Sequence, residues 1–224
     1  MHGTTSTTQK QEMIPNKPLS KKVVEFDDVI STIGNLSSNS DQNNDSEFEI
    51  ALKNNDVQSV YQILQNNKDL LTTNDLFDDE SLLSWVVAKG SIEMLDMLLL
   101  NYPECRDTQN TNGFTPLMTA VITDDISLKL YRIEALLNAG VNVDARNLQG
   151  KTALMLAIEG LNMVNPIMLP IIKLLKPRSN LRIRDGRRTT MGNTANMYAQ
   201  NKLQRDGDHL SGKMKKVLQS FSTE

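Results

Sequence analysis

Hydrophobic and polar positions divide the chain near residue 45. Residues 1–45 are rich in Ser, Thr, Asn, Gln and Lys and include Pro15 and Pro18. Such a stretch buries too little apolar surface to offset its chain entropy, which predicts a disordered N-terminal segment. One island interrupts it. Val23, Phe26, Val29, Ile30 and Ile33 recur at helical spacing, which predicts a short helix over 23–33 or a linear peptide that binds a partner. Beyond residue 45 a unit recurs. Blocks open on Ser46, Ser81, Thr115, Thr152 and Thr194, with starts 35, 34, 37 and 42 residues apart. A large apolar residue sits two positions later (Phe48, Leu83, Leu117, Leu154), except at Asn196. A second apolar set follows each opener. Examples are Val57, Val60, Ile63 and Leu64, and Ile92, Leu95, Leu98 and Leu99, with spacings of three and four. That spacing puts each set on one helical face. Each unit therefore predicts two short helices and a connector. Neither helix can bury its stripe alone, so the units must stack.

The two central units carry the most specific residues. One runs Asn110-Thr111-Asn112-Gly113-Phe114-Thr115-Pro116-Leu117-Met118-Thr119-Ala120, followed by Leu136-Leu137-Asn138-Ala139-Gly140 and then Asn142. The next continues as Gly150-Lys151-Thr152-Ala153-Leu154-Met155-Leu156-Ala157. These stretches resemble the ankyrin repeat family, whose pattern is roughly D-x-x-G-x-T-P-L-H-x-A, then a second helix ending L-L-x-x-G-A. The resemblance implies an all-α solenoid of stacked helix-turn-helix units with short hairpin connectors. About five units would span 46–220, starting near 46, 81, 115, 152 and 194, with 221–224 as a tail. The residue chemistry agrees. Gly113 and Gly150 permit positive φ at a hairpin turn. Thr115 and Thr152 suit helix N-caps, Pro116 suits the first helical position, and Gly140 suits a C-terminal stop.

Three departures from the family pattern are visible. The histidine that usually follows the leucine is replaced by Ser84, Met118, Met155 and Met197. Two helix-to-helix loops look enlarged, near Thr123–Lys129 and near Gly160–Pro166. The last unit opens on Thr190 or Thr194; Thr190 would put Gly192 where a leucine belongs, which favours Thr194 with a longer connector before it. The first unit lacks the glycine turn and is polar outside, as an N-terminal cap should be. The last unit sets Lys202, Arg205, Lys213, Lys215 and Lys216 beside Leu203, Leu210, Val217 and Leu218, as a C-terminal cap should.

Composition narrows the chemistry. Aromatics are 4% of 224 residues, so the core must come from Leu, Ile, Val, Met and Ala. Cys105 is the only cysteine and the histidines are His2 and His209, which excludes an intramolecular disulfide and a cysteine zinc cluster. No nucleotide-binding, metalloprotease, hydrolase or kinase motif is present. Cys105 reads as a structural thiol with no histidine in its own or the adjacent units to act as base, and His209 as a surface residue of a terminal helix. No cofactor and no enzymatic activity are expected. No run of about 18 apolar residues exists, so no transmembrane segment is expected. The first ten residues contain no apolar signal core. A cytoplasmic location follows, or a host-cell cytosol if the chain is an effector of an intracellular bacterium. The Asn/Ser-rich composition and residues 217–224 resemble such effectors loosely.

Charge is segregated along the chain. Residues 25–80 hold 13 acidic and 2 basic side chains, and residues 173–216 hold 12 basic and 3 acidic ones. The formal net charge is −3, which argues against non-specific nucleic-acid binding by the whole chain. By resemblance, the array binds an unidentified protein partner through hairpin tips and the concave helix face. The tip candidates are Asn110, Asn112 and Phe114, then Arg146, Gln149 and Lys151. Arg182, Arg184, Arg187 and Arg188 continue the row, with Phe114 as the aromatic anchor. The basic turn 178–188 also admits weak contact with anionic membrane. Nucleic acid is disfavoured because Tyr198 is the one aromatic near the arginines. Trp85 is expected to fill the core, or else to anchor a partner on the concave face.

Overall fold

The computed structural model describes residues 46–72, 80–162, 164–186 and 192–223; the predicted helix over 23–33 lies outside them. Among the described residues ten α-helices run as five successive pairs. They are α1 (Glu47–Lys53) with α2 (Val57–Asn66), α3 (Leu82–Lys89) with α4 (Ile92–Asn101), and α5 (Pro116–Ile122) with α6 (Ile126–Asn138). Then come α7 (Ala153–Gly160) with α8 (Met168–Leu175), and α9 (Ala195–Asp206) with α10 (Gly212–Gln219). The described residues form no β-strand; one antiparallel bridge pairs Arg184 with Thr194. The first helices α3, α5, α7 and α9 pack in succession, and so do the second helices α2, α4, α6, α8 and α10. The result is an all-α repeat solenoid with two helical layers.

Local chemistry starts nearly every helix. Ser46, Ser81, Thr115, Thr152 and Thr194 each accept a hydrogen bond from the backbone N–H three residues on. Asp56, Ser91 and Ser211 cap the second helices in the same manner, and Asp125 accepts from Ser127 N two residues on. Only α8, entered from Pro166 and Ile167, lacks a side-chain cap. Such caps contribute about 1 kcal/mol each, which matters for helices of only two or three turns. Two helices stop alike. Gly140 (φ +82°) and Asn55 (φ +53°) are left-handed, and the bonds Val141 N–H to Leu136 O and Asp56 N–H to Ala51 O close the ends.

The core lies between the pairs. Leu83, Leu117 and Leu154 are buried two residues after their caps, and Ala51, Val86, Ala120, Ala157 and Ala199 are buried five after. The small residues let neighbouring first helices approach closely. Ser84, Met118 and Met155, in the family's histidine slot, are buried too. Ser84 Oγ accepts a hydrogen bond from Ser81 Oγ at 2.9 Å, and the methionines fill their sites by packing. Phe221, assigned to the tail from sequence, is buried, and Lys176 Nζ lies 4.9 Å from its ring centroid. The core therefore continues to the last turn.

Basic side chains close the C-terminal ends of six helices. Arg132 Nη2 donates to Gly90 O after α3, Arg106 to Leu99 O in α4, and Lys129 Nζ to Val121 O in α5. Lys202 donates to Glu159 O in α7, Arg178 to Leu174 O in α8, and Lys176 to Ser220 O after α10. Each satisfies a carbonyl that the helix leaves without a partner and complements the negative end of the macrodipole. Lys129 is 1% exposed, and burial lowers its pKa. This pair also corrects one expectation. The loop near Thr123–Lys129 is not enlarged: only residues 123–125 separate α5 from α6, and α6 grows to 13 residues. The additional residues wind into helix because Asp125 caps it, and because Lys129 and Arg132 thereby reach the ends of α5 and α3. The second enlarged loop is present, over residues 161–167 between α7 and α8.

Two glycines separate conformational from steric demand. A Cβ on Gly150 (φ +80°) would lie 2.5 Å from Gly186 N, whereas one on Gly140 would meet nothing within 4 Å. Gly140→Ala should cost about 1 kcal/mol for the left-handed backbone alone. Gly150→Ala should cost a further ~1–3 kcal/mol, because two backbones must move apart. Urea unfolding midpoints of the two variants check this; equal shifts would refute the close approach.

Candidate partner-binding surface

The hairpin turns are built on one repeated device. Asn110 is buried at the base of the first, and its Oδ1 accepts from Asn112 N at 3.0 Å and Phe114 N at 2.8 Å. Asn147 repeats this with Gln149 N at 3.0 Å and Lys151 N at 2.9 Å. In the third turn an aspartate takes the place: Asp185 accepts from Asn193 N, and its second oxygen accepts from Tyr198 Oη at 2.6 Å. Gly113, Gly150 and Gly186 supply the positive φ that each turn requires.

Backbone and side-chain bonds then stitch the turns together. Leu148 N donates to Asn112 O, and Gly186 N to Gln149 O, both at 3.0 Å. Gln109 Nε2 donates at 2.9 Å to Gly113 O in its own turn and to Arg146 O in the next. Arg146 repeats the bridge with Gly150 O at 3.1 Å and Gly186 O at 2.6 Å. Asp107 and Asp144 each accept from a backbone N–H one repeat on, Asn142 and Asn180, at 2.8 Å. Through these bonds the first two turns and the described base of the third form a continuous ribbon.

The sequence-predicted residues fall along this ribbon but play different parts. Asn112, Gln149 and Arg182 are exposed. Phe114 is half-buried against the core. Asn110 holds its turn from inside, and Arg146 ties two turns with the guanidinium. Lys151 pairs with Glu159 at 2.7 Å and sits 5.7 Å from the Tyr198 ring centroid. Arg184 is exposed, and its Nη1 donates to Gly192 O at 2.7 Å. Arg187 and Arg188 lie outside the described residues.

A second set was not read from sequence, Trp85 excepted. The residue four after each first-helix cap is Ile50, Trp85, Thr119, Leu156 or Tyr198. Ile50 is 47% exposed, and Trp85, Leu156 and Tyr198 are half-buried. Thr119 is buried, but Ile122 one turn on is 49% exposed. Met197, beside Tyr198, is 38% exposed. Every first helix thus leaves an apolar side chain at least partly uncovered, three, four or seven residues after its cap. Part of the signal was available: Ile50, Trp85, Leu156 and Tyr198 each lie four residues after a capping Ser or Thr, whereas Ile122 and Met197 break that offset.

Charge frames the C-terminal part of this face. Lys202, besides capping α7, pairs with Asp206 at 2.9 Å. Hydrogen bonds from Arg205 and then Lys202 hold the Asp206 carboxyl down to about 2. Burial and the Asp185 hydrogen bond push the Tyr198 hydroxyl well above its ordinary pKa, so it stays protonated as a donor.

Reactive groups lie apart from this surface. Cys105 is fully buried, its Sγ 3.0 Å from Tyr102 O, and desolvation pushes the thiol up to about 12. Arg106 pulls the other way too weakly to matter, its guanidinium bonded to Leu99 O. His209 is exposed in a short 3-10 turn. Among the described residues no cluster of three His, Cys, Asp or Glu is placed to hold a metal, and no helix is long and apolar enough to cross a membrane.

Comparison with known proteins agrees with this geometry. A family model described as ankyrin repeats (3 copies) matches residues 48–132 and 83–185. A crystal structure of an ankyrin repeat domain from Acinetobacter baumannii AYE is similar to this chain. It shows 24% identity and a TM-score of 0.56, over 78% of this chain and 80% of that one. No curated protein matches in sequence.

The burial of Cys105 makes a direct prediction. A thiol-reactive disulfide reagent at pH 8 should modify the folded protein on the order of a hundredfold more slowly than the urea-unfolded chain. Equally fast labelling would mean that the thiol is accessible in the native fold.

Proposed function

Since the chain belongs to the ankyrin repeat family, we propose that it works as a protein–protein interaction module whose partner seats on the exposed side of the first helices and on the hairpin ribbon. Repeats of this family are in general interaction modules rather than catalysts. One observation carries the placement: Ile50, Trp85, Ile122, Leu156 and Met197, three, four or seven residues after their caps and so at helical spacing, leave apolar surface on each of the successive first helices. Apolar groups so placed, beside a hydrogen-bonded and therefore pre-organised ribbon, give a partner a contact at low ordering cost. Binding or occlusion is favoured over catalysis because the lone thiol is buried and the exposed histidine stands away from it. It is favoured over anionic-lipid attachment through the turn after α8, because Arg178 and Arg184 already donate to backbone carbonyls.

The test uses a partner identified by cross-linking and then purified. Ile122→Asp and Trp85→Ala should each weaken its binding by roughly 30-fold, the loss of about 2 kcal/mol expected at a central anchor. Phe114→Ala should weaken it less, because that ring is half covered by its own repeat. Leu100→Ala, on α4 and 77% exposed, should leave affinity unchanged. The reverse order, or turnover of a substrate by the purified chain that is lost in Cys105→Ala, would overturn the reading.

A further inference from the structure

The second-helix layer carries a site of different character. A cleft of about 320 Å³ opens between the C-terminal turns of α8 and α10. Ile172, Pro177 and Val217 line it together with Lys173, Lys176 and Lys216. The walls are apolar, so the lysines contribute methylene stems and hold their ammonium groups at the rim. Lys176 is committed to Ser220 O at 3.0 Å and to the Phe221 ring. It neutralises the end of α10 and closes one side of the cleft. Lys173 and Lys216 are exposed, and neither has an ion pair or hydrogen bond among the described residues. They are surplus positive charge above an apolar recess.

From this geometry we infer a binding site for an acidic peptide segment carrying one large apolar side chain. The side chain fills the recess, and flanking carboxylates meet Lys173 and Lys216. Charge complementarity supports the occupant, because residues 173–216 hold 12 basic and 3 acidic side chains and attract anionic segments from a distance. The recessed shape separates a peptide from a membrane. Interfacial binding needs a broad exposed apolar face, whereas here Ile172 is buried, Val217 is half-buried and Pro177 alone of the apolar lining is exposed. A cleft of this size takes one or two side chains rather than a bilayer surface. The site is on the second helices and stands independently of the first-helix surface.

The test is fluorescence anisotropy of the full chain with a labelled synthetic nonapeptide, one central phenylalanine flanked on each side by four glutamates. A second probe has alanine in place of the phenylalanine. Wild type should bind the first probe at micromolar Kd, and the alanine probe about tenfold more weakly. The double variant Lys173→Glu, Lys216→Glu should lose at least about tenfold, and raising salt from about 50 to 300 mM should weaken wild type. Thermal melting by circular dichroism verifies that the variant folds, and Val217→Asp gives an independent block of the recess. Equal binding of both probes would reduce the effect to unspecific charge attraction and overturn the proposal. So would loss of binding in Arg182→Glu, Arg184→Glu with retention in the lysine pair. Flotation with phosphatidylserine vesicles that depends on Lys173 and Lys216, without peptide binding, would replace the peptide with a membrane.

Discussion

A unit of two short helices has too little apolar surface to hold itself together, so each pair depends on burial against the next. That dependence sets the residues at the contact. Ala120, Ala157 and Ala199 are small because adjacent first helices press together there, and Leu117 and Leu154 are large because they fill the space between pairs. The same closeness brings hairpin backbones into contact, which is why Gly113 and Gly150 meet neighbouring backbone atoms that no Cβ would clear. Stability in such an array is a sum over neighbours, with the ends as the weak places. The burial of Phe221 beneath Lys176 covers the C-terminal end.

Short helices bring a second constraint. Each ends with carbonyl groups that lack helical partners, and stacking brings many of those ends close together. The chain meets this with cations that reach across from other elements: Arg132 and Lys129 from α6, Lys202 from α9, Lys176 from the turn after α8. Much of its positive charge is therefore structural. What looks from composition like a basic surface is partly a set of helix closures. Lys173 and Lys216 differ in that respect, because no carbonyl or carboxylate claims them among the described residues.

The ribbon and the first-helix row owe their use to this rigidity. Gln109 and Arg146 each tie one turn to the next, so the tips are held in register before any partner arrives. Asn112, Gln149, Ile122 and Met197 then project from backbone that is already ordered. Binding on such a surface costs less conformational entropy than binding on free loops. Tyr198 adds a local variant of the same idea, bonding to Asp185 at the base of the third turn, where the two earlier turns use asparagine.

Local pattern determined much of this protein. Spacings of three and four, Ser or Thr openers, and glycines before them specified helix pairs, their order, the positive-φ turns and the stop at Gly140. These depend on neighbours within about four residues, which is the range over which helix periodicity and capping act. Partners about 36 residues away were decided only by stacking. That Arg146 bridges Gly150 and Gly186, that Asn110 faces inward while Asn112 faces out, and that Lys129 is buried all depend on which repeat surface meets which. The residues after Thr123 show the division most plainly: as text they lengthen a loop, and in the fold they lengthen a helix. A lysine and an arginine there find helix ends on other elements, and no short-range pattern in the chain could declare those ends to be within reach.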